Sequence, residues 1–215
     1  MLLLPNKTFF NLPKERQEEI IEICVEEFST NDYNSASLNR IIEKLGIAKG
    51  SFYRYFSNKT DLYEFLIDYV LEKKLNYIKD FYEYQSNSWD IDIPKKIVYR
   101  LVEFDFIYFN YSNFILSSIN NKNLDECEFI NRKPALDIVS DLQKKGIIRN
   151  DINIDLIEFR LFRNLILLRN FIIKKLNIPL EELQQGAITY KKYEKPIKEI
   201  IDQYCDLLAN GLKAK

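Results

Sequence analysis

The chain contains no histidine. That removes the side chain most often used as a general base near neutral pH, and the commonest metal ligand. No glycine-rich phosphate loop stands in its place, so no enzymatic activity, metal centre or cofactor is expected. The three cysteines, Cys24, Cys127 and Cys205, are odd in number, far apart and each set in an apolar pattern, which argues against a disulfide framework or a Cys-x-x-Cys metal site. Five glycines and six prolines, with no Ser- or Pro-rich tract, leave little room for a flexible linker. Long apolar runs are missing too. Met1 to Leu4 stops at Pro5-Asn6, far short of a signal-peptide core, and Ile154 to Leu176 is interrupted by Glu158, Arg160, Arg163 and Arg169. A soluble, cytoplasmic protein with no membrane partner is expected. Net charge is also nearly absent, at −1, so any attraction to nucleic acid has to come from a local patch.

What is present is apolar and periodic. Nearly half of the 215 residues are hydrophobic, which argues against disorder, and the length suffices for one large domain or two small ones. The most informative stretch runs from Ser37 to Leu62. Leu38, Ile41, Ile42 and Leu45 follow the i, i+3, i+4, i+7 spacing of an amphipathic helix, and Ser37 is placed to cap it. Gly46 then ends the helix, Ile47 plugs the angle, and Ala48 to Tyr55 resume a helical pattern. Two short helices about a glycine turn form a helix-turn-helix, whose second helix enters a DNA groove. Lys49, Ser51, Tyr53 and Arg54 point outward on that second helix, while Phe52 and Phe56 face inward. Between Ser37 and Lys59 five cations (Arg40, Lys44, Lys49, Arg54, Lys59) face one acid, Glu43, the local positive patch that phosphate binding requires. The acids Glu15, Glu18, Glu19, Glu22, Glu26 and Glu27 all precede the motif.

These residues resemble the TetR-type transcriptional regulators. Gly46, Ile47, Gly50, Phe52, Tyr53, Tyr55, Phe56, Lys59 and Leu62 fall at positions matching that family's signature, nine positions within seventeen residues. Ala48 departs from it, removing a hydroxyl that would cap the recognition helix, and Ile42 and Leu45 are bulkier than the usual alanines. The resemblance implies an all-α protein. A three-helix DNA-binding head would occupy residues 1–57, and a connecting helix with a larger ligand-binding and dimerisation bundle residues 58–215. It implies no enzymatic activity, and a homodimer that sets two recognition helices on a near-palindromic operator. Carried over position by position, Lys49, Gly50 and Ser51 are candidates for base edges and Tyr53, Tyr55 and Lys59 for phosphates. Ser37 and Asn39 are candidates for the backbone or an outer base, and Arg54 ranks lower. Purely structural roles stay open: Gly50 as a close-approach residue, Tyr55 as half-buried, Lys59 as a solvated surface lysine.

The rest of the chain also reads as helix. A first helix begins near Leu12-Pro13 and buries Ile20, Ile21, Cys24, Val25 and Phe28; Ser29 to Ser35 is a polar turn. A long arm runs from Ser57-Asn58 to about Tyr84, followed by a corner at Ser86 to Asp92. Pro94 opens a helix carrying Tyr99, Phe104, Phe106, Tyr108, Phe109, Tyr111 and Phe114. Ser117 to Asn123 reads as a loop, and a helix started or kinked by Pro134 ends at Gly146. Ile154 to Leu176 is apolar over too much of its circumference for one buried face. A last helix begins near Pro196 with Ile197, Ile200, Ile201, Tyr204, Leu208 and Leu212 in line. In the family the last two long helices pair with their copies in a second subunit. The aromatics either fill a core or line a cavity; on the second reading Phe104, Tyr108, Tyr111, Phe162 and Arg163 hold an apolar or amphipathic effector. Rival readings are a DNA-binding co-activator or chromosome-organising protein without an effector, a pure protein-interaction module and, ranked last for want of a cluster of catalytic groups, an enzyme.

Overall fold

The apolar periodicities become helices throughout the computed structural model, which describes residues 5–84, 93–120, 133–146, 148–159 and 164–210. Among them there is no strand. The elements are α1 (Lys7–Phe10), α2 (Lys14–Thr30), α3 (Leu38–Leu45), α4 (Lys49–Tyr53), α5 (Lys59–Tyr84), α6 (Ile93–Ile107), α7 (Phe109–Asn120), α8 (Lys133–Lys144), α9 (Ile154–Glu158), α10 (Asn164–Lys175), α11 (Leu180–Leu183) and α12 (Ala187–Asn210). Packing divides the chain into two compact units, residues 1–73 with 110–131, and residues 74–109 with 132–215. That division falls inside α5 and borrows α7, whereas the boundary expected at residue 57 separates the head by its motif alone.

The first unit is built around α2, whose Ile20, Ile21, Cys24, Val25 and Phe28 are buried. Pro13 is the N-cap of α2, whose first turn starts at Lys14. Two aromatic clusters complete the core. Phe9 meets Phe56 at 5.2 Å and Phe65 at 5.6 Å, and Tyr63 meets Phe28 at 5.0 Å and Phe114 at 5.2 Å, ring centre to ring centre. Such edge-on and tilted pairs add roughly 0.5–1.5 kcal/mol each beyond the area they bury. Phe114, expected among the aromatics of the second bundle, is thus a core residue of the head's unit.

In the second unit α6 packs against α12 and α10, and α8 against α9. Val98, Leu101, Val102, Phe106, Leu165, Leu168, Ile172, Ile197 and Ile201 form its centre. α10 is apolar on two sides: Leu165, Leu168 and Ile172 are buried, while Leu167 and Phe171 stay 59% and 55% exposed. One buried face indeed does not account for that sequence. No helix among the described residues is long and apolar enough to cross a membrane.

Four expectations need correction. The aromatic run is not one helix: α6 ends at Ile107, Tyr108 is a turn residue, and α7 starts at Phe109. Ser117 to Asn120 continue α7 instead of forming a loop, with Ser118 buried and its hydroxyl donating to the Ile115 carbonyl at 2.7 Å; 121–123 lie outside the described residues. The last helix starts at Ala187, and Pro196 lies within it. An interior proline costs about 3 kcal/mol, but buried Tyr190 on one side of it and buried Ile197 and Ile201 on the other anchor both halves to one core. The real break is Gly186, at φ 57°, where a Cβ would sit 2.8 Å from the Ile107 carbonyl oxygen. Finally, α1 and α11 were not expected at all. The corner Ser86 to Asp92 lies outside the described residues, whereas α8 ends at Lys144 and the chain turns at Gly146, at φ 72°, two residues on.

Candidate functional site

The helix-turn-helix forms by local rules. Ser37 caps α3, its hydroxyl accepting from the Arg40 N–H at 3.4 Å. Ile41, Ile42 and Leu45 are buried along one face. Gly46 closes the helix at φ 63°, with its N–H on the Glu43 carbonyl (3.0 Å) and that of Ile47 on Ile42 (3.5 Å). Only a residue without a Cβ adopts that backbone at little cost. α4 follows with no side-chain cap at Ala48, as the missing hydroxyl implies. Phe52 and Phe56 are buried beneath it.

The outward positions of α4 are open. Lys49, Gly50, Tyr53 and Arg54 are exposed and Ser51 is half-buried, its hydroxyl accepting from Arg54 Nη2 at 3.3 Å. A Cβ built on Gly50 meets nothing within 4 Å, so the fold itself does not require glycine there. Asn39 is exposed in the first turn of α3, and Ser37 is half-buried. Tyr55 is half-buried with its ring edge-on to Phe9 at 6.3 Å.

Three of the five motif cations are already engaged within the head. Arg40 Nε donates to both Glu27 carboxylate oxygens (3.0 and 3.2 Å) and its Nη2 to the Ser35 carbonyl at 2.8 Å. Lys44 pairs with Glu26 at 2.5 Å. The Lys59 ammonium donates to the Ala36 carbonyl at 2.7 Å and sits 4.8 Å from the centre of the Tyr33 ring. Lys49 and Arg54 are left facing outward without an acidic partner among the described residues. The acids ahead of the motif are therefore not remote from it, since the end of α2 carries Glu26 and Glu27 alongside α3. Burial pushes the Glu27 carboxyl up, but hydrogen bonds from Arg40 and the Ser37 N–H, with the Arg40 and Lys59 charges, leave it below its ordinary value. Burial lowers Lys59, only partly offset by Asp32 and Glu27.

Sequence reasoning missed the brace under α4. Asn6 N–H donates to the Tyr55 carbonyl at 2.9 Å, Thr8 Oγ1 to the Arg54 carbonyl, and buried Phe9 wedges against Phe56. Buried Gln17 holds this segment by donating to the Leu12 and Phe10 carbonyls at 2.7 and 3.2 Å. The signal available was Phe9-Phe10, two aromatics just after the apolar start.

In the second unit Phe104 is fully buried and stacks at a tilt on half-buried Tyr108, 4.7 Å away, with Tyr77 edge-on to both at 5.5 and 6.2 Å. Burial pushes the Tyr77 hydroxyl up to about 12. Tyr111 belongs to the first unit, where its ring lies 6.4 Å from Tyr69; Phe162 and Arg163 lie outside the described residues. The buried charges among the described residues of this unit are Asp105, paired to Lys74 Nζ at 2.6 Å, Glu158, and Arg169, over the Phe109 ring at 5.2 Å. Arg169 carries the same signal as Arg163, a charge within an apolar helix.

Residues 20–66 match the model of the bacterial regulatory proteins, tetR family. A TetR family transcriptional regulator of Chloroflexus aurantiacus aligns over 99% of this chain and 100% of its own, with a TM-score of 0.73 and 28% identity. The chain carries the helix-turn-helix head of the TetR-type regulators. Its TetR-type head is the part built from α2, α3 and α4. The Bacillus subtilis regulator FadR, solved with stearoyl-CoA, shares the fold at a TM-score of 0.65 and 18% identity, over 91% of this chain and 99% of its own. The nucleoid occlusion factor SlmA of Actinobacillus pleuropneumoniae serotype 5b is 27% identical over 92 residues, 42% of this chain and 45% of SlmA. The chain thus spans under half the length of that curated relative.

Proposed function

We propose that this protein is a dimeric DNA-binding transcriptional regulator of the cytoplasm, a repressor released from a near-palindromic operator by an apolar or amphipathic small molecule. The observation that carries the DNA-binding part is the open face of α4: Lys49, Gly50, Tyr53 and Arg54 stand exposed on a head that is otherwise tightly braced. Lys49 and Ser51 read base edges, Gly50 lets the backbone approach, and Tyr53, Tyr55 and Arg54 reach phosphates, with Ser37 and Asn39 at the flank. Lys59, held on the Ala36 and Asn34 carbonyls, meets a phosphate only with its remaining N–H. A second copy related by two-fold symmetry sets two such helices about 34–36 Å, or a multiple of a turn, apart. Exposed Leu167 and Phe171 on α10 support pairing there, because large exposed apolar side chains grouped on one helix face mark an interface.

The effector site is proposed in the second unit around Phe104, Tyr108 and Tyr77. Stacked aromatics beside buried charge suit an amphipathic molecule, and the fold is one that holds such a molecule in FadR. Binding regulates only if the molecule prefers one arrangement of the two heads. The test is selection of duplexes by the full-length protein from a random-sequence library, then titration at several salt concentrations. Palindromic winners with a steep salt dependence support the reading, and absence of salt-dependent binding refutes it. The similarity to SlmA favours one alternative, a chromosome-organising protein without an effector; many dispersed sites in a genome-wide binding map would select it.

A further inference from the structure

We propose that Glu27 and Arg40 are positioning residues for DNA recognition: they fix the entry of α3, and Arg40, although inside the basic segment, makes no phosphate contact. The inference rests on the DNA-binding reading and concerns how the head presents α4.

The geometry converges on one carboxylate. Glu27, in the last turn of α2, has a side chain only 12% exposed. Its Oε1 accepts from the Ser37 N–H at 2.8 Å, Asn31 Nδ2 at 3.3 Å, and Arg40 Nε and Nη2. Ser37 is the N-cap of α3, and Arg40 is the residue whose N–H that cap satisfies. A single side chain from α2 therefore holds both the backbone at which α3 begins and a side chain from its first turn. The same Arg40 guanidinium reaches back to the Ser35 carbonyl at 2.8 Å. From α5, Lys59 holds the neighbouring Ala36 carbonyl and Tyr33 meets Thr60 at 2.9 Å. The turn 31–37 is clamped from both sides.

The consequence follows from charge and reach. A guanidinium has five N–H donors in a rigid fork. Nε and Nη2 of Arg40 are spent on a carboxylate and a carbonyl within the head, and its charge is matched by an adjacent, well-buried carboxylate. Only the two N–H of Nη1 are left, and a phosphate that drew the guanidinium outward to reach them would pull it off Glu27 and loosen the entry of α3. Since α4 is joined to α3 only through the short turn Gly46–Ala48, a change in the entry of α3 is passed directly to the recognition helix. The basic segment thus has a division of labour: Lys49 and Arg54 face outward, and Arg40 holds the frame.

A phosphate contact and a positioning contact differ in salt dependence. Each phosphate neutralised contributes about 0.9 to the slope of log K against log salt; a positioning residue changes the affinity and leaves the slope alone. The experiment uses the full-length protein and a duplex selected by the wild type from a random-sequence library, titrated by fluorescence anisotropy over a range of KCl. Glu27→Gln and Arg40→Gln are each expected to weaken binding about tenfold, the size of one lost base contact, with unchanged slope. The double variant should lose no more than either single. Arg54→Ala, by contrast, should lower the slope by about 0.9. A lowered slope for Arg40→Gln, or wild-type or tighter binding by Glu27→Gln, would overturn the proposal. If these variants fail to fold by circular dichroism, Arg40→Lys decides: it keeps the charge without the fork, so weakened binding at unchanged slope supports the clamp and wild-type affinity refutes it. A wild type that selects no duplex would overturn the DNA-binding reading itself, and this inference with it.

Discussion

Gly50→Ala separates what the fold needs from what recognition needs. Gly50 is exposed in α4, its backbone is not left-handed, and a Cβ there meets nothing within 4 Å. Alanine is favoured over glycine by about 0.8–1 kcal/mol in a helix interior. Gly50 is the second residue of a five-residue helix, where roughly half of that applies, so a gain of about 0.5 kcal/mol is expected. For a chain of this size 1 kcal/mol moves the melting temperature by about 2–4 °C, so the variant should melt about 1–2 °C higher. If the α4 backbone lies against the groove, the added methyl occupies the space of a base edge or phosphate and pushes the helix outward. The loss should match one to two displaced contacts, about 1–3 kcal/mol, or roughly 5- to 150-fold in affinity. Thermal melts and anisotropy titrations on the selected duplex, at matched salt, read the two quantities independently. The diagnostic result is opposite signs: higher stability with weaker binding. Unchanged affinity would refute close approach at Gly50, and affinity falling in step with melting temperature would show that the glycine serves the fold instead.

Further predictions follow from the same geometry. Tyr53→Ala removes an exposed ring resting edge-on against Phe52, so operator affinity should fall while the melt shifts little; unchanged binding would mean that α4 is not the recognition helix. Phe171→Glu places a charge on the exposed side of α10 and should yield monomers by sedimentation, whereas a dimer of wild-type strength would move the interface elsewhere. Asp105→Ala strands the Lys74 ammonium, whose side chain is 15% exposed, and should destabilise by about 3 kcal/mol in urea melts; a variant as stable as wild type would show the pair to be dispensable. Because Glu27 is held below its ordinary value in the fold, its contribution to stability is complete above the normal glutamate range. It is lost as the pH falls through the depressed value. The stability gap between wild type and Glu27→Gln should therefore close on acidification, and a constant gap would contradict the clamp.

The local chemistry of the motif was legible in the sequence because it depends on neighbours. Ser37 caps α3, Gly46 ends it in the left-handed region, and Phe52 and Phe56 turn inward, since each answers to residues three or four positions away. The absence of histidine, and with it of any imidazole base or ligand, is likewise read without reference to any fold. Tertiary structure decided the rest. A count of charges could not reveal that Glu26 and Glu27, more than ten positions earlier, lie beside Arg40 and Lys44, because ion pairing depends on how α2 crosses α3. Nor could periodicity show that the aromatic run breaks at Tyr108 and sends Phe114 into the head's core: aromatic residues fill any core equally well, and only the packing of a unit selects which. Pro196 reads as a helix start by its missing N–H, yet it sits inside α12, because apolar side chains buried on both sides of it outweigh one lost hydrogen bond.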